Sequence, residues 1–247
     1  MINILHLYYD ILNLYGENAN SRALVNELKR NKIKTTVDYK SINDKINFDK
    51  YDIIYIGSGD EENLLLALSD LDKRSESIKK YIDMDKYLFL TGNSMYLFGT
   101  KIKTLGSDIY CPGIFNYHTE YLTENAFKSA SSLRIVGETV SHSKLIKEPI
   151  IGFQNRCGLV YNVKTPLLNT DTKYSNDNKT NSEGFTHKNV YATQNIGPLF
   201  IRNPYLLDYF LEKICKEKKL TYKVDNNSTS KKAYKEYLES INLASIK

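Results

Sequence analysis

Tyr51-Asp-Ile-Ile-Tyr-Ile-Gly-Ser-Gly-Asp60 decides the fold class of this chain. The run from Tyr51 to Ile56 is short, nearly continuously apolar and closed by glycines, the pattern of a strand buried on both faces of a parallel sheet. Working outward, Tyr87-Leu-Phe-Leu-Thr91 repeats the pattern, closes on Gly92-Asn-Ser94, and runs into Met95-Tyr-Leu-Phe98, which opens a helix. Upstream, Ile2 to Tyr8 reads as a strand, and Ser21 to Asn31 as a helix with Leu24, Val25 and Leu28 on its apolar face. Ile33 to Tyr39 is extended again, and Leu64 to Leu71 and Ser75 to Met84 read as two helical segments. Strand and helix in alternation imply a doubly wound α/β sheet.

The remainder is less regular and shows no internal repeat. Leu133 to His142 and Pro149 to Tyr161 read as shorter strands, Thr170 to Glu183 as a polar surface loop, and Val190 to Asn195 as a last strand. Pro204 to Lys218 carries Leu206, Leu207, Phe210, Leu211 and Ile214 at helical spacing, with proline in the first turn where it is tolerated. The expected organisation is one domain over residues 1–220, then a polar linker and short tail helix over 221–247, the helix spanning Lys231 to Ile241.

Of 247 residues, 41% are hydrophobic and 12% aromatic, enough for a core, which excludes disorder as the main state. The net charge of +5 rests on 34 basic residues, only six of them Arg, the residue that reads phosphate and guanine bidentately. A solvated lysine-rich surface is therefore expected, with no nucleic-acid partner. Cys111, Cys157 and Cys215 are widely spaced with no C-x-x-C pair, so neither a disulfide framework nor a metal site is expected, and a reducing cytoplasmic location follows. The N-terminus lacks a basic leader, and no stretch has the 18 or more apolar residues of a spanning helix, so membrane insertion is not expected.

Ligands of open α/β sheets bind beyond the carboxyl ends of the strands. Two such ends carry glycine loops, Gly57-Ser58-Gly59-Asp60 and Gly92-Asn93-Ser94, whose amides can face an anion or oxyanion. A plain structural turn explains either loop equally well.

The ordered combination is more specific. His6-Leu-Tyr-Tyr-Asp-Ile-Leu-Asn-Leu-Tyr-Gly-Glu-Asn-Ala-Asn20, Gly57-Ser-Gly-Asp60, the elbow ending at Gly99, Gly152-Phe-Gln-Asn155, His187-Lys-Asn189 and Gly197-Pro198 resemble class I glutamine amidotransferases of the cobyric acid synthase type. Within that group the resemblance is greatest to the amidotransferase subunits of lipid II isoglutaminyl synthases. It runs from residue 1 to about residue 220. It implies a flavodoxin-like α/β fold and a Cys-His pair that hydrolyses glutamine. Ammonia would pass to a Mur-ligase-like ATP-dependent partner that amidates the D-glutamate of the peptidoglycan stem peptide. No cofactor is implied. The chemistry needs a thiolate on a strained strand-to-helix elbow, a base for its proton and backbone amides for the oxyanion.

This sequence departs from the family at each of those places. The elbow reads Cys-Gly-Gly-x-Gln in the family; aligned without a gap to Gly99, the nucleophile position falls on Gly92, with Asn93, Ser94 and Tyr96 on further motif positions. The segment Tyr-x-His-Gly-Pro becomes Gln194-Asn-Ile-Gly-Pro198, placing Ile196 where the base belongs. The pocket segment Phe-Glu-Asn-His-x-Gly-Arg becomes Phe153-Gln-Asn155-Arg156-Cys157-Gly-Leu159. Three separate losses flanked by retained glycines or prolines imply a scaffold kept after glutaminase chemistry was abandoned, with Ser94, Tyr96, Asn155, Arg156 and Cys157 around a degenerate pocket. Two alternatives stand beside this expectation. One is an active glutaminase reorganised around Cys157; the other is a binding or sensor module that takes glutamine or glutamate in the old pocket. Ser94 is read as a helix N-cap, Cys157 as filling glycine space, Cys215 as packing, and His6, His118 and His142 as structural; His187 matches the family segment only approximately.

Overall fold

The apolar runs become four parallel strands, β1 (Ile2–Leu7), β2 (Thr35–Lys40), β3 (Ile53–Ile56) and β4 (Tyr87–Thr91), in a computed structural model that describes residues 1–104, 106–122 and 134–244. Further along the chain come β5 (Lys101–Lys103), β6 (Asp108–Tyr110), β7 (His118–Tyr121), β8 (Ile135–Ser141), β9 (Ile150–Arg156) and β10 (Gly158–Tyr161). The last strands are β11 (Leu168–Asn169), β12 (Ser182–Glu183), β13 (Phe185–His187) and β14 (Val190–Thr193). Helices are α1 (Asn18–Arg30), α2 (Glu61–Asp83), α3 (Leu199–Arg202), α4 (Pro204–Glu217) and α5 (Thr229–Ala244).

The main sheet runs β13-β14-β4-β3-β1-β2, parallel throughout except for β13. Side chains alternate across it. Ile54 and Ile56 join Leu88 and Leu90 in a core beneath α2, where Leu64, Leu68, Leu71, Ile78 and Tyr81 pack. Ile53 and Tyr55 join Ile4 and Phe89 on the opposite face, beneath Leu24 and Leu28 of α1 and Phe210, Leu211 and Ile214 of α4. Each fully buried aliphatic or aromatic chain contributes about 1.5–3 kcal/mol, so both faces must stay covered. A second sheet, β10-β7-β5-β6, and the β8–β9 hairpin reach the turn Gly92–Phe98 that follows β4, through β5 and β9 respectively. The hairpin joins the main body through a bridge between Phe153 and Ile196.

Several sequence expectations need correction. Leu64–Leu71 and Ser75–Met84 are parts of one helix, α2, because Asp70 and Arg74 continue its buried stripe as an ion pair and not as a break. Asp70 accepts from the Tyr8 hydroxyl at 2.9 Å and from the Asn43 amide at 3.1 Å. Ser94 is no N-cap: it lies inside a 3-10 helix over Gly92–Phe98 and donates to the carbonyls of Thr91 (2.9 Å) and Ile56 (3.3 Å). Residues 170–183, expected as a surface loop, include a 3-10 turn at Thr172–Tyr174 and end in β12, and Ser175, Asn176 and Glu183 are buried. β13 was not anticipated, being three residues long, and the tail helix begins at Thr229. Leu133 lies outside the described residues; the strand expected from it begins at Ile135. Among the described residues, no helix is long and apolar enough to cross a membrane.

Candidate functional site

β3 and β4 are neighbours, so their glycine loops emerge side by side at the carboxyl edge of the sheet. The β3 loop leads into α2, capped by the Asp60 carboxylate accepting from the Asn63 amide at 2.8 Å, with Glu61 and Glu62 favourably placed at the positive end of the helix dipole. Asn93 staples the two loops together. Its Oδ1 accepts from Ser58 Oγ (3.0 Å) and the Gly59 amide (3.1 Å), and its Nδ2 donates to the Gly59 carbonyl (2.7 Å).

Gly92 follows β4 directly and sits at φ +62°, in the left-handed region where a strand-to-helix elbow places its first residue. A Cβ built there would approach Ser58 Cβ to 2.5 Å and Ile196 Cγ2 to 2.7 Å. Positions 92 and 196, distant in sequence, are thus in contact, and no room separates them. Ile196 is buried, held by its amide donating to the Phe153 carbonyl at 2.8 Å.

One cavity joins most of the sequence-designated residues. Ser58, Gly92, Asn93, Tyr96, Asn155, Arg156, Cys157 and Ile196 all line it, together with Glu61, Arg134 and Gln194. Gly57 instead abuts the β1–α1 loop, where a Cβ would come within 2.8 Å of Glu17 Cβ, and Gly59 packs against Leu12. The cavity measures about 10 Å³, the lower limit for one water.

Its wall is charged. Arg134 Nη1 pairs with Glu61 at 2.9 Å while its Nε donates to Asn155 Oδ1 at 2.7 Å, fastening the start of α2 to the end of β9. Cys157 donates its thiol to the same Glu61 at 3.2 Å. Burial, reinforced by that carboxylate, pushes the thiol pKa up to about 12, so sulfur is held as the un-ionised and weakly nucleophilic form. Arg156 is buried among neutral acceptors, donating to Gln154 Oε1 (2.8 Å) and to the Gly158 and Ser175 carbonyls, and burial pulls its pKa down. Tyr96 donates to Gln194 Oε1 at 3.0 Å. Glu183 accepts from the Gln194 amide (2.6 Å) and Thr193 Oγ1 (2.8 Å), and burial lifts its carboxyl to about 7.

Beneath the elbow lies a group the sequence reading did not single out. Glu17, fully buried, accepts from Tyr55 OH at 2.6 Å, from the Gly197 amide at 3.1 Å, and from Thr91 Oγ1. It ties together the β1–α1 loop, β3, β4 and the segment after β14. Burial raises its pKa, opposed by those three donors. The signal was present as Leu14-Tyr-Gly-Glu17, within the quoted N-terminal stretch, but a single acid in a loop predicts no burial. Of the histidines, His6 is buried against Tyr55 with Nδ1 at 3.0 Å from Ser21 Oγ, and burial lowers its pKa to about 3. His118 pairs with Glu120, and His142 and His187 are exposed; none of these lines the cavity. Cys111 is half-buried and Cys215 is packed in the core.

The family model of the CobB/CobQ-like glutamine amidotransferase domain matches residues 3–202. A lipid II isoglutaminyl synthase (glutamine-hydrolyzing) subunit GatD of Staphylococcus aureus is 30% identical over 231 residues, covering 92% of this chain and 91% of the relative. The subunit of the same name from Streptococcus pneumoniae is 28% identical over 208 residues, covering 83% and 77%. Among solved structures, a glutamine amidotransferase superposes with TM-score 0.54 at 15% identity, covering 85% of this chain and 98% of that one. The glutaminase domain of Trypanosoma brucei CTPS with bound acivicin gives TM-score 0.50 at 10% identity, covering 93% and 99%. At these identities the structures speak for the fold alone, that of class I glutamine amidotransferases.

Proposed function

The chain belongs to the CobB/CobQ-like glutamine amidotransferase family, and on that premise we propose that it is an amidotransferase subunit of the lipid II isoglutaminyl synthase type that has lost glutaminase chemistry. It serves as a scaffold or regulator of a Mur-ligase-like ATP-dependent partner amidating a peptidoglycan precursor in the cytoplasm, with ammonia drawn from solution. The single observation that carries this reading is the contact between Gly92 and Ile196. The elbow keeps the left-handed backbone that positions a nucleophile, and residue 196 comes to it as a base would, yet one place has no side chain and the other a hydrocarbon.

Acyl transfer from glutamine requires a thiolate attacking the amide carbon, a base taking the thiol proton and returning it to the departing ammonia, and donors on the oxyanion. Here no sulfur stands on the elbow. The nearby Cys157 is protonated, its proton directed at a carboxylate already engaged by Arg134. The Gly59 amide, a candidate oxyanion donor, is taken by Asn93. The narrowness of the cavity in this conformation, about 10 Å³, is in keeping with this reading.

The test is ammonia release from glutamine by the purified chain, alone and with its partner, beside partner activity supplied with ammonium chloride. Expected are no release above background and ammonium-supported amidation that the chain enhances. Glutamine turnover lost in Cys157→Ser would overturn the proposal in favour of a reorganised glutaminase.

A further inference from the structure

A second cavity, much larger than the one beside Gly92, has no part in the elbow site. It is a groove of about 620 Å³ between the segment after β8 and the segments flanking β11, β12 and β13, and it shares no lining residue with the cavity beside Gly92. This is the size range of small-molecule sites. Its floor is apolar: Leu145, Leu167 and Leu168, the last two also bounding a small internal void against Phe89 and Leu199. Its rim is cationic. Lys144 and Lys164 flank the opening, neither in an ion pair among the described residues, and no carboxylate lies in the lining. The two walls are tied to each other: Ser143 Oγ donates to the Leu167 carbonyl at 3.1 Å and a bridge joins His142 to Asn169.

From this arrangement we propose that the groove is a second binding site, for an amphipathic anion: a phosphate or carboxylate head held by Lys144 and Lys164, with an aliphatic body laid over Leu145, Leu167 and Leu168. Two uncompensated ammonium groups at the mouth of an apolar trough attract an anion and exclude a cation. Aliphatic carbons set against the leucines gain burial that a bare ion cannot. The site is independent of the fate of the elbow, and its test does not measure amidation.

The full chain, labelled with nitrogen-15, is titrated with octyl phosphate and octanoate below their micellar concentrations, with octyl glucoside and inorganic phosphate as comparisons. The expected result is saturable shifts at the amides of Ser143, Thr165, Leu167 and Leu168 with one or both octyl anions, which also distinguishes a phosphate from a carboxylate ligand. The exposed double variant Lys144→Glu, Lys164→Glu should weaken binding by roughly tenfold or more, and Leu145→Ser should weaken the octyl anions but not inorganic phosphate. Equal binding of octyl glucoside, equal binding of inorganic phosphate, an unchanged affinity in the charge-reversed chain, or no saturable shift with either anion overturns the proposal.

Discussion

Gly92 and Gly113 share a φ of +62°, but only Gly92 is crowded, since nothing lies within 4 Å of a Cβ at Gly113. Alanine at Gly113 therefore costs only the left-handed backbone, about 1 kcal/mol. At Gly92 it must also displace Ser58 and Ile196, adding roughly 1–3 kcal/mol, a difference that urea unfolding of the two variants resolves. Glu183 makes a second prediction. Burial raises its carboxyl from 4.5 to about 7, so the folded state binds the extra proton between those values. Its contribution is therefore full below about pH 4.5 and falls, by roughly 3 kcal/mol at most, as pH rises to about 7. His6 acts in the opposite sense: lowered from 6.5 to about 3, it makes stability rise with pH across that window. Between pH 4.5 and 6.5 the two slopes oppose each other. Glu183→Gln should unmask the His6 slope, so that unfolding free energy climbs more steeply over that interval than in the parent chain.

Among the elements, α2 best illustrates what composition conceals. Asp70 and Arg74 occupy one face four residues apart, between Ala67 and Ile78; Asp70 is buried, Arg74 half-buried, and Asp70 is paired with both Arg74 and the Tyr8 hydroxyl. Asp70→Ala leaves a half-buried guanidinium and a buried hydroxyl without their acceptor, and should destabilise the chain by roughly 3–5 kcal/mol in chemical unfolding. The apolar runs of β1, β3 and β4 were legible because both faces of a central parallel strand are buried, which leaves a continuous hydrophobic signature. The glycine loops were legible because their positions after those strands follow from topology. Glu17, Glu61 and Arg134 were not, because their partners lie far along the chain: Glu17 meets Tyr55, Thr91 and Gly197, and Arg134 meets Glu61. Such pairings leave no periodicity to read. The same holds for β13, whose three residues gain their strand conformation only by pairing with β14.

Over the whole molecule, α5 returns the chain to the hairpin that walls the cavity. Tyr234 donates to the Pro149 carbonyl at 2.6 Å, Lys231 is buried in an ion pair with Asp208 at 2.6 Å, and Arg202 links Glu138 of β8 to Tyr237. The division of the chain near residue 220 remains a proposal, and truncation after Val224 tests it. The shortened chain should stay folded, with Tm lower by on the order of 5 °C or more and faster amide exchange confined to the β8–β9 hairpin. Global unfolding would instead make the tail part of the domain. The contact at Gly92 also bears on history. A cysteine placed there meets Ser58 and Ile196 before it can meet a substrate, and a histidine placed at 196 finds no thiol on the elbow to deprotonate. On the proposed reading, neither change alone gains anything that selection could retain, so the arrangement behaves as a ratchet: acquiring glutaminase chemistry at this elbow demands at least two coordinated changes, the first of them at a cost.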